Sequence, residues 1–461
     1  MNIVIHTEVA ARELDGNLLL ATVAASRGHE VLVSDMHSIN VGLAYNCLFY
    51  GIFHTKSLTP SQKKISRHKR IKDAGFLVTS QDQEAGLIET DYSRFAKTRY
   101  SKETVGNASA VFCWGNSDFE KLNELYSYDK NTFFKTGSPR VDLWREELSE
   151  YWPEPSLSPG RPFFLVASNL ASNAARRLED FISFYKEAGY LERDPKLLEW
   201  RFLSYAEHVR LTYEYINALE ALSEKKNNFD IVFRPHPTER VEAWEVFLSH
   251  LPNVHVIREG SITAWVNKAF AVMHNGCTTA LEATVSGKTV ITYMPFERKY
   301  ARDLPNQLGR LVRTPDELVK AVEDCFAIHQ ADLPAQEATK IPETVASKID
   351  IDGEELAAEK IVKAWEGLDN GELSRPCNWT KFQAYLKLAK LRRMVSRTLR
   401  RALPGKFRLT TENSKFPPMD ATDINERVRR LQLVLGLDVE LECKLLSERA
   451  VLIRPRRGSG H

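Results

Sequence analysis

Two stretches of the chain set chemically capable side chains just beyond runs that read as buried strands. In FDIVFRPHPTER (229–240) the apolar run ends at Phe233, and Arg234, Pro235, His236 and Pro237 follow. The prolines stop a helix from continuing and hold the backbone extended or in a turn. A cation and an imidazole are thereby fixed at a strand's carboxyl end. His236 is suited to donate to a phosphate oxygen and to protonate a departing phosphate. The plainer alternative is a solvated histidine at a strand exit.

The second stretch, AFAVMHNGCTTALEATVSG (269–287), runs from an apolar strand into a helix that stops at Gly287. Between them stand His274, Asn275, Gly276, Cys277, Thr278 and Thr279. Gly276 lets a ligand approach the backbone, Thr278 or Thr279 can cap the helix, and the free N–H groups suit an anion. Glu282, one turn into the helix, is placed to meet sugar hydroxyls. The alternative is an ordinary capped helix, with His274 and Cys277 serving shape.

Toward the N-terminus, VTSQDQEAGLI (78–88) puts Asp82 and Glu84 after an apolar run and before Gly86. Such carboxylates suit a general base or a nucleophile. EVAARELDGN (8–17) adds Glu8, Arg12, Glu13 and Asp15, as acceptor-binding groups or as helix-surface charge. KTGSPRVDLW (135–144) adds Arg140 and Asp142, near the expected hinge or in a structural turn.

These residues need strand ends to hold them, and the pattern supplies strands. NIVIHTE, then RELDGNLLLATVAASRGHE with helical spacing, then VLVSD read as a βαβ opening. GFLVTS (75–80), AVFCWG (110–115) and TFFKTG (132–137) continue it, with helical stretches between. The pattern restarts at FFLVAS (163–168) and runs through GRLV (309–312). Between the halves, residues 151–162 carry Pro153, Pro155, Pro159 and Pro162 and read as a linker. The expected fold class is α/β and GT-B-like: two Rossmann-like domains facing across a cleft, over 1–150 and 163–375, with a basic helical extension at 376–461.

The 461 residues, 43% hydrophobic and 27% charged, are ample for two such domains. Six scattered cysteines without a CxxC pair read as reduced thiols. No signal-peptide core and no long uncharged apolar window are seen, so a cytoplasmic location is expected. The net charge of +2 argues against a polyanion binder, yet residues 379–411 hold ten Lys/Arg and no acid. That stretch reads as an amphipathic helix, either on the anionic inner face of a membrane or packed across the domains. No nucleic-acid motif accompanies it.

In combination the motifs resemble those of bacterial sialyltransferases, polysialyltransferases and 3-deoxy-octulosonic acid transferases. These GT-B enzymes share an acidic-acidic-Gly motif, an HP motif and a later Ser/Thr pair. DQEAG, with residues inserted, is similar to the first, RPHP to the second and CTT to the third. Residues 1–330 also resemble bacterial surface carbohydrate biosynthesis proteins, through RELDGNLLLATVAASRGHEV, GSPRVDLW, RPHPTE and, most specifically, HNGCTTALEA.

The resemblance implies transfer of a nonulosonic or ulosonic acid from a CMP-activated donor to a surface glycan acceptor, whether lipid-linked or not. It implies that Arg234, His236, Pro237, Asn275, Gly276, Thr278, Thr279 and Glu282 hold the donor nucleotide. Asp82 or Glu84 would activate the acceptor or attack the sugar, and Glu8, Arg12, Glu13 and Arg140 would line the acceptor side. No metal or other cofactor is expected, since no DxD-like motif stands out. Two alternatives stand beside it. One is an enzyme of the same architecture using a UDP or CDP donor, such as a nucleotide-sugar 2-epimerase. The other is a non-catalytic, membrane-associated partner in polysaccharide assembly.

Overall fold

The computed structural model describes residues 1–48, 50–84, 92–126, 132–155, 160–170, 183, 186, 195–225, 228–237, 239–299, 304–332, 342–351, 353–369, 371, 373, 376–401 and 415–456. They fall into two compact units, the first drawn from Met1–Gly86, Asp91–Leu143 and Ala346–His461, the second from Trp144–Val345.

The first unit carries parallel strands β1 (Asn2–His6), β2 (Glu30–Ser34), β3 (Gly51–Thr55), β4 (Phe76–Gln81), β5 (Ala110–Cys113) and β6 (Phe133–Lys135), in the order β2-β1-β3-β4-β5-β6. β1, β3 and β5 are buried along their whole length. Parallel strands covered by helices on both faces show that pattern. β3 was not among the expected strands, because Gly51, His54 and Thr55 break up its apolar run. It nonetheless lies between β1 and β4.

The second unit carries β7 (Phe163–Ala167), β8 (Asp230–Arg234), β9 (Val254–Val256), β10 (Ala271–His274), β11 (Thr289–Tyr293) and β12 (Arg310–Val312). All pair in parallel, in the order β12-β11-β10-β7-β8-β9. Its core joins Phe164, Val166 and Phe233 to Tyr215 and Leu219 of the helix Pro195–Ser223, and to Trp244 and Leu248 of the helix Val241–Leu248. The expected α/β class with two Rossmann-like units is the class observed. Each sheet has one place where the strand order reverses, between β1 and β3 and between β7 and β10. Ligands of open α/β sheets bind at the carboxyl ends flanking such a point.

The sequence expectation closed the first domain near residue 150 and set 376–461 apart as a helical extension. The structure divides the chain differently. Residues from Ala346 onward join the first unit, and the chain ends in a hairpin of β13 (Leu441–Ser447) and β14 (Ala450–Pro455). β14 pairs antiparallel with β2, matching Val451 to Val33 and Ile453 to Val31, and completes an eight-stranded sheet. The physical reason is an open edge: β2 would otherwise present unpaired backbone groups.

The returning segment also covers the helix Ala10–Ser26, which packs against the helices Ala357–Leu368 and Ala421–Val434 and is buried nearly all round. Trp365 is fully buried and donates its indole N–H to Thr79 Oγ1 at 3.1 Å. The basic helix Trp379–Arg401 begins the same way: Trp379, Phe382 and Leu386 join a core with Val4, Leu32, Leu48 and Leu452. Tyr385 stacks on Tyr45 at 4.0 Å. Further along, Leu388, Leu391 and Met394 are exposed. The rest of the basic stretch, 402–411, lies outside the described residues, as do Gly86 of the acidic motif and 156–159 of the linker. No helix among the described residues is long and apolar enough to cross a membrane.

A chain ending at residue 376, which a separate extension would tolerate, is therefore expected to lose cooperative unfolding of the first unit. Ile453→Asp, which places a charge at a fully buried site, is expected to destabilise it by at least about 3 kcal/mol. Urea unfolding followed by circular dichroism measures both.

Candidate functional site

At the order reversal of the second sheet, β7 leads into Ser168, Asn169 and Leu170, and β10 leads into Asn275, Gly276 and Cys277. The two loops are tied together. Asn169 donates its amide N–H to Gly276 O at 3.1 Å, and Asn275 donates to Asn169 O at 3.5 Å. Gly276 has φ +93, a left-handed conformation, and a Cβ there would stand 3.2 Å from Asn306 Nδ2. Among the described residues, the buried amide oxygens of Asn275 and Asn306 have no hydrogen-bond partner. Unsatisfied buried acceptors are costly and await a donor.

His274 sets this turn. Its Nδ1 accepts the Gly276 N–H at 3.0 Å, and its Nε2 lies 2.8 Å from Thr292 Oγ1. Thr292 gives its own proton to Leu308 O at 2.6 Å, so Nε2 carries the imidazole proton. Burial holds the ring neutral, with its pKa lowered to about 3. Cys277 is buried and its thiol is pushed up by burial. Thr278 and Thr279 are half-buried at the start of the helix Thr279–Val285, and Thr278 makes no side-chain cap. Glu282 is buried and accepts from Thr263 Oγ1.

On the other side of β7, His236 is half-buried beyond β8 and Pro237 is exposed. Arg234 is turned away from the strand-end turn, toward backbone carbonyls. It donates to Glu259 O at 2.6 Å and Gly260 O at 3.1 Å, over the Trp265 ring. Burial lowers its pKa to about 10. Glu239, which sequence reasoning missed, links the loops after β7 and β8. It accepts from Ser168 Oγ, from Leu170 N at 2.8 Å and from Trp244 Nε1 at 2.9 Å, while its own N–H bonds His236 O. Burial raises its carboxyl pKa. Asn169 and Asn306 were missed as well. The signal for Asn169 was present, a polar residue just past FFLVAS; that for Asn306 was not, since it comes from a separate short helix, Pro305–Gln307.

In the first unit the strand ends of β1, β3 and β4 bring Glu8, Arg12, Glu13, Asp82 and Glu84 into one charged group. Two missed cations, Lys56 and Arg99, hold it together. Asp82 is buried and takes both oxygens to Arg99, at 2.8 Å from Nε and 3.1 Å from Nη2. It also accepts the Glu84 N–H at 2.9 Å. Glu84 itself is half-exposed, 3.5 Å from Arg12 and 3.7 Å from Arg99. Glu13 turns back onto its own helix start, accepting from the N–H groups of Glu8 at 2.7 Å and Val9 at 3.2 Å. Lys56 lies 3.1 Å from Glu8 and 3.1 Å from Glu13. Burial opposes ionisation of Glu8, but Lys56 brings its carboxyl below the usual value. Arg140 lies on the turn Pro139–Asp142, where its backbone packs against Gly16 of the helix Ala10–Ser26. No group of three or more His, Cys, Asp or Glu among the described residues is placed to hold a metal.

No protein-family model matches the chain, and no curated protein does. Among solved structures it is similar to the UDP-GlcNAc 2-epimerase of Methanocaldococcus jannaschii, with 13% identity and a TM-score of 0.49 over 79% of this chain and 99% of that one. It is also similar to the Neisseria meningitidis UDP-GlcNAc 2-epimerase bound to UDP-GlcNAc, with 10% identity and a TM-score of 0.47 over 80% and 100%. The Anabaena HepE protein in complex with UDP and glucose matches at 11% identity and a TM-score of 0.39 over 80% and 100%. These are distant likenesses.

The buried imidazoles predict an acid limit. Burial lowers His6, His54 and His274 to about 3 and His68 to about 4, so each takes up a proton on unfolding. Their stabilisation is complete above pH 6.5 and is lost as pH falls toward 3. Asp118, raised to about 7 by burial, works in the opposite direction over the same range and offsets one of them. Stability is expected to fall steeply between pH 6 and 4. His54→Gln should reduce that slope by about 1.4 kcal/mol per pH unit, as read from urea midpoints across pH.

Proposed function

We propose that the chain is a nucleotide-sugar enzyme whose second unit grips the nucleotide at the β7/β10 reversal. The observation that carries this reading is the turn at Gly276, where the oxygens of Asn275 and Asn306, unpartnered among the described residues, lie beside a glycine that admits no side chain without strain. Such acceptors suit the hydroxyl and N–H donors of a nucleoside. Thr278, Thr279 and His236 supply donors for phosphate oxygens.

A diphosphate donor fits better than a monophosphate. β10 and β8 flank β7, so their ends stand roughly 10 Å apart. One phosphate reaches one loop, whereas a nucleoside diphosphate carrying a sugar can engage both. This favours a UDP- or CDP-linked sugar and, as reaction, epimerisation beside the anomeric carbon or transfer of the sugar. Neither needs a bound metal if cationic and N–H donors carry the phosphate charge. In the first unit Glu84 is the better acid or base. Asp82 is held by Arg99, while Glu84 is half-exposed between two cations. Transfer of an acidic sugar from a CMP donor is the second reading, favoured by the cations at the first unit's strand ends.

Thermal-shift titration with UDP, CDP and CMP decides among these. UDP or CDP is expected to stabilise the chain more than CMP, and a larger effect of CMP would reverse the ranking. Absence of any shift would remove the nucleotide reading altogether. Gly276→Ala is expected to cost about 1 kcal/mol through its left-handed backbone and to abolish the nucleotide shift. Glu84→Gln is expected to leave the unfolding midpoint almost unchanged while removing turnover of a UDP-sugar. Asp82→Asn, which strands the Arg99 charge, is expected to cost about 3 kcal/mol. A stable Asp82→Asn chain with full turnover would contradict this division of roles.

A further inference from the structure

The helix Gln62–Asp73 lies against the first sheet with an unusual inward face. Its buried positions, His68 and Ile71, share a helical stripe with Lys64 and Arg67. A core-facing stripe is ordinarily apolar. Long cations often bend back to water along such a face, but here the ammonium points inward. Lys64 Nζ donates to Ser57 Oγ at 2.6 Å, and Ser57 is 1% exposed. Burial lowers the lysine's pKa. Arg67 is half-buried, and its guanidinium makes no hydrogen bond or ion pair among the described residues. A half-buried guanidinium with none of its donors used is poorly compensated.

Glu8 acts electrostatically on Lys64, Arg67 and His6, and Asp82 on Lys64, but each of these carboxylates is held closer by another cation. Glu8 is paired with Lys56 at 3.1 Å and Lys415 at 3.8 Å, and Glu13 with Lys56 at 3.1 Å. Asp82 is paired with Arg99. A second observation marks the same place. His6, the last residue of β1, is 6% exposed, and its Nδ1 is buried without a hydrogen-bond partner among the described residues; so is Nδ1 of His68. His6 and His68 both lie against the Phe53 ring, with centroids 6.4 Å away in each case; Arg67, Lys56 and Lys64 act on His6 electrostatically in one sense and Glu8 in the other. This is the carboxyl end of β1, where the strand order of the first sheet reverses.

We infer that Lys64, Arg67 and His6 form an anion-binding subsite in the first unit, built for a carboxylate or phosphate carried on a sugar. A planar oxyanion is matched by the Arg67 fork, with Lys64 as a point charge and the His6 ring as an additional donor. The subsite is independent of the nucleotide turn in the second unit.

The test is titration of the full chain, at constant ionic strength, with glucuronate, glucose 6-phosphate and uncharged glucose, read by thermal shift and calorimetry. At least one anionic sugar is expected to bind and glucose is not. Binding of glucuronate alone assigns a carboxylate, and of glucose 6-phosphate alone a phosphate. Arg67→Gln and Lys64→Gln are each expected to weaken that binding about tenfold, with UDP affinity unaltered. Arg67→Lys, which keeps the charge but loses the fork, is expected to weaken it less, and it serves if the Gln variant does not fold. Failure of both anions to bind, or undiminished binding in the Arg67 variants, overturns the subsite. A failure of UDP to bind bears only on the second unit.

Discussion

The central strands of both sheets are buried on both faces, and that constraint shapes the rest of the molecule. A parallel strand covered by helices has its backbone groups satisfied within the sheet and its side chains packed above and below. Binding chemistry is thus left to the loops at the strand ends. Most residues singled out by type and spacing lie in such a loop or in the first turns after it; Arg234 and His274 close β8 and β10, and Arg140 and Asp142 lie on the turn Pro139–Asp142. The same constraint explains the return of the chain's end. Without β14 the edge of β2 would be open, and without the helices that follow Ala346 one side of the helix Ala10–Ser26 would face water.

The two units use their strand ends differently. In the second, the turn after β10 is set by neutral hydrogen bonds: a single histidine tautomer, a left-handed glycine and amides that bridge the loops. That arrangement offers fixed acceptors and donors with little net charge. In the first, the strand ends are ionic. Glu13 and Asp82 are absorbed in holding the loops, and Lys64 and Arg67 make no ion pair with a carboxylate among the described residues. Rigid groups and available groups sit side by side in both units. Arg234 and Asp82 belong to the first kind, while His236, Thr278, Thr279 and Glu84 are exposed enough to meet a ligand.

Much of this was legible in the chain itself. Strand–helix alternation marked most strands, because a parallel strand buried on both faces is a near-continuous apolar run, and residues just past such runs are the candidate chemistry. β3 escaped because His54 and Thr55 are buried polar residues, satisfied by a partner that only folding supplies: His54 Nδ1 pairs with Thr79 Oγ1 at 3.1 Å. Lys56, Arg99, Glu239 and Asn306 escaped for a related reason, since each acts through residues far away in sequence.

The sequence by itself determined the Rossmann-like halves, the reversal turns and the residue types standing at them, since these follow from local periodicity, proline and glycine. The tertiary structure decided the roles. Arg234 and Asp82 look as reactive in sequence as His236 and Glu84, but carbonyls of a neighbouring loop claim the first and Arg99 claims the second. It also decided which half owns the last hundred or so residues. A short strand such as AVLI carries no record of its partner; β14 joined the first unit because β2 held the open edge there.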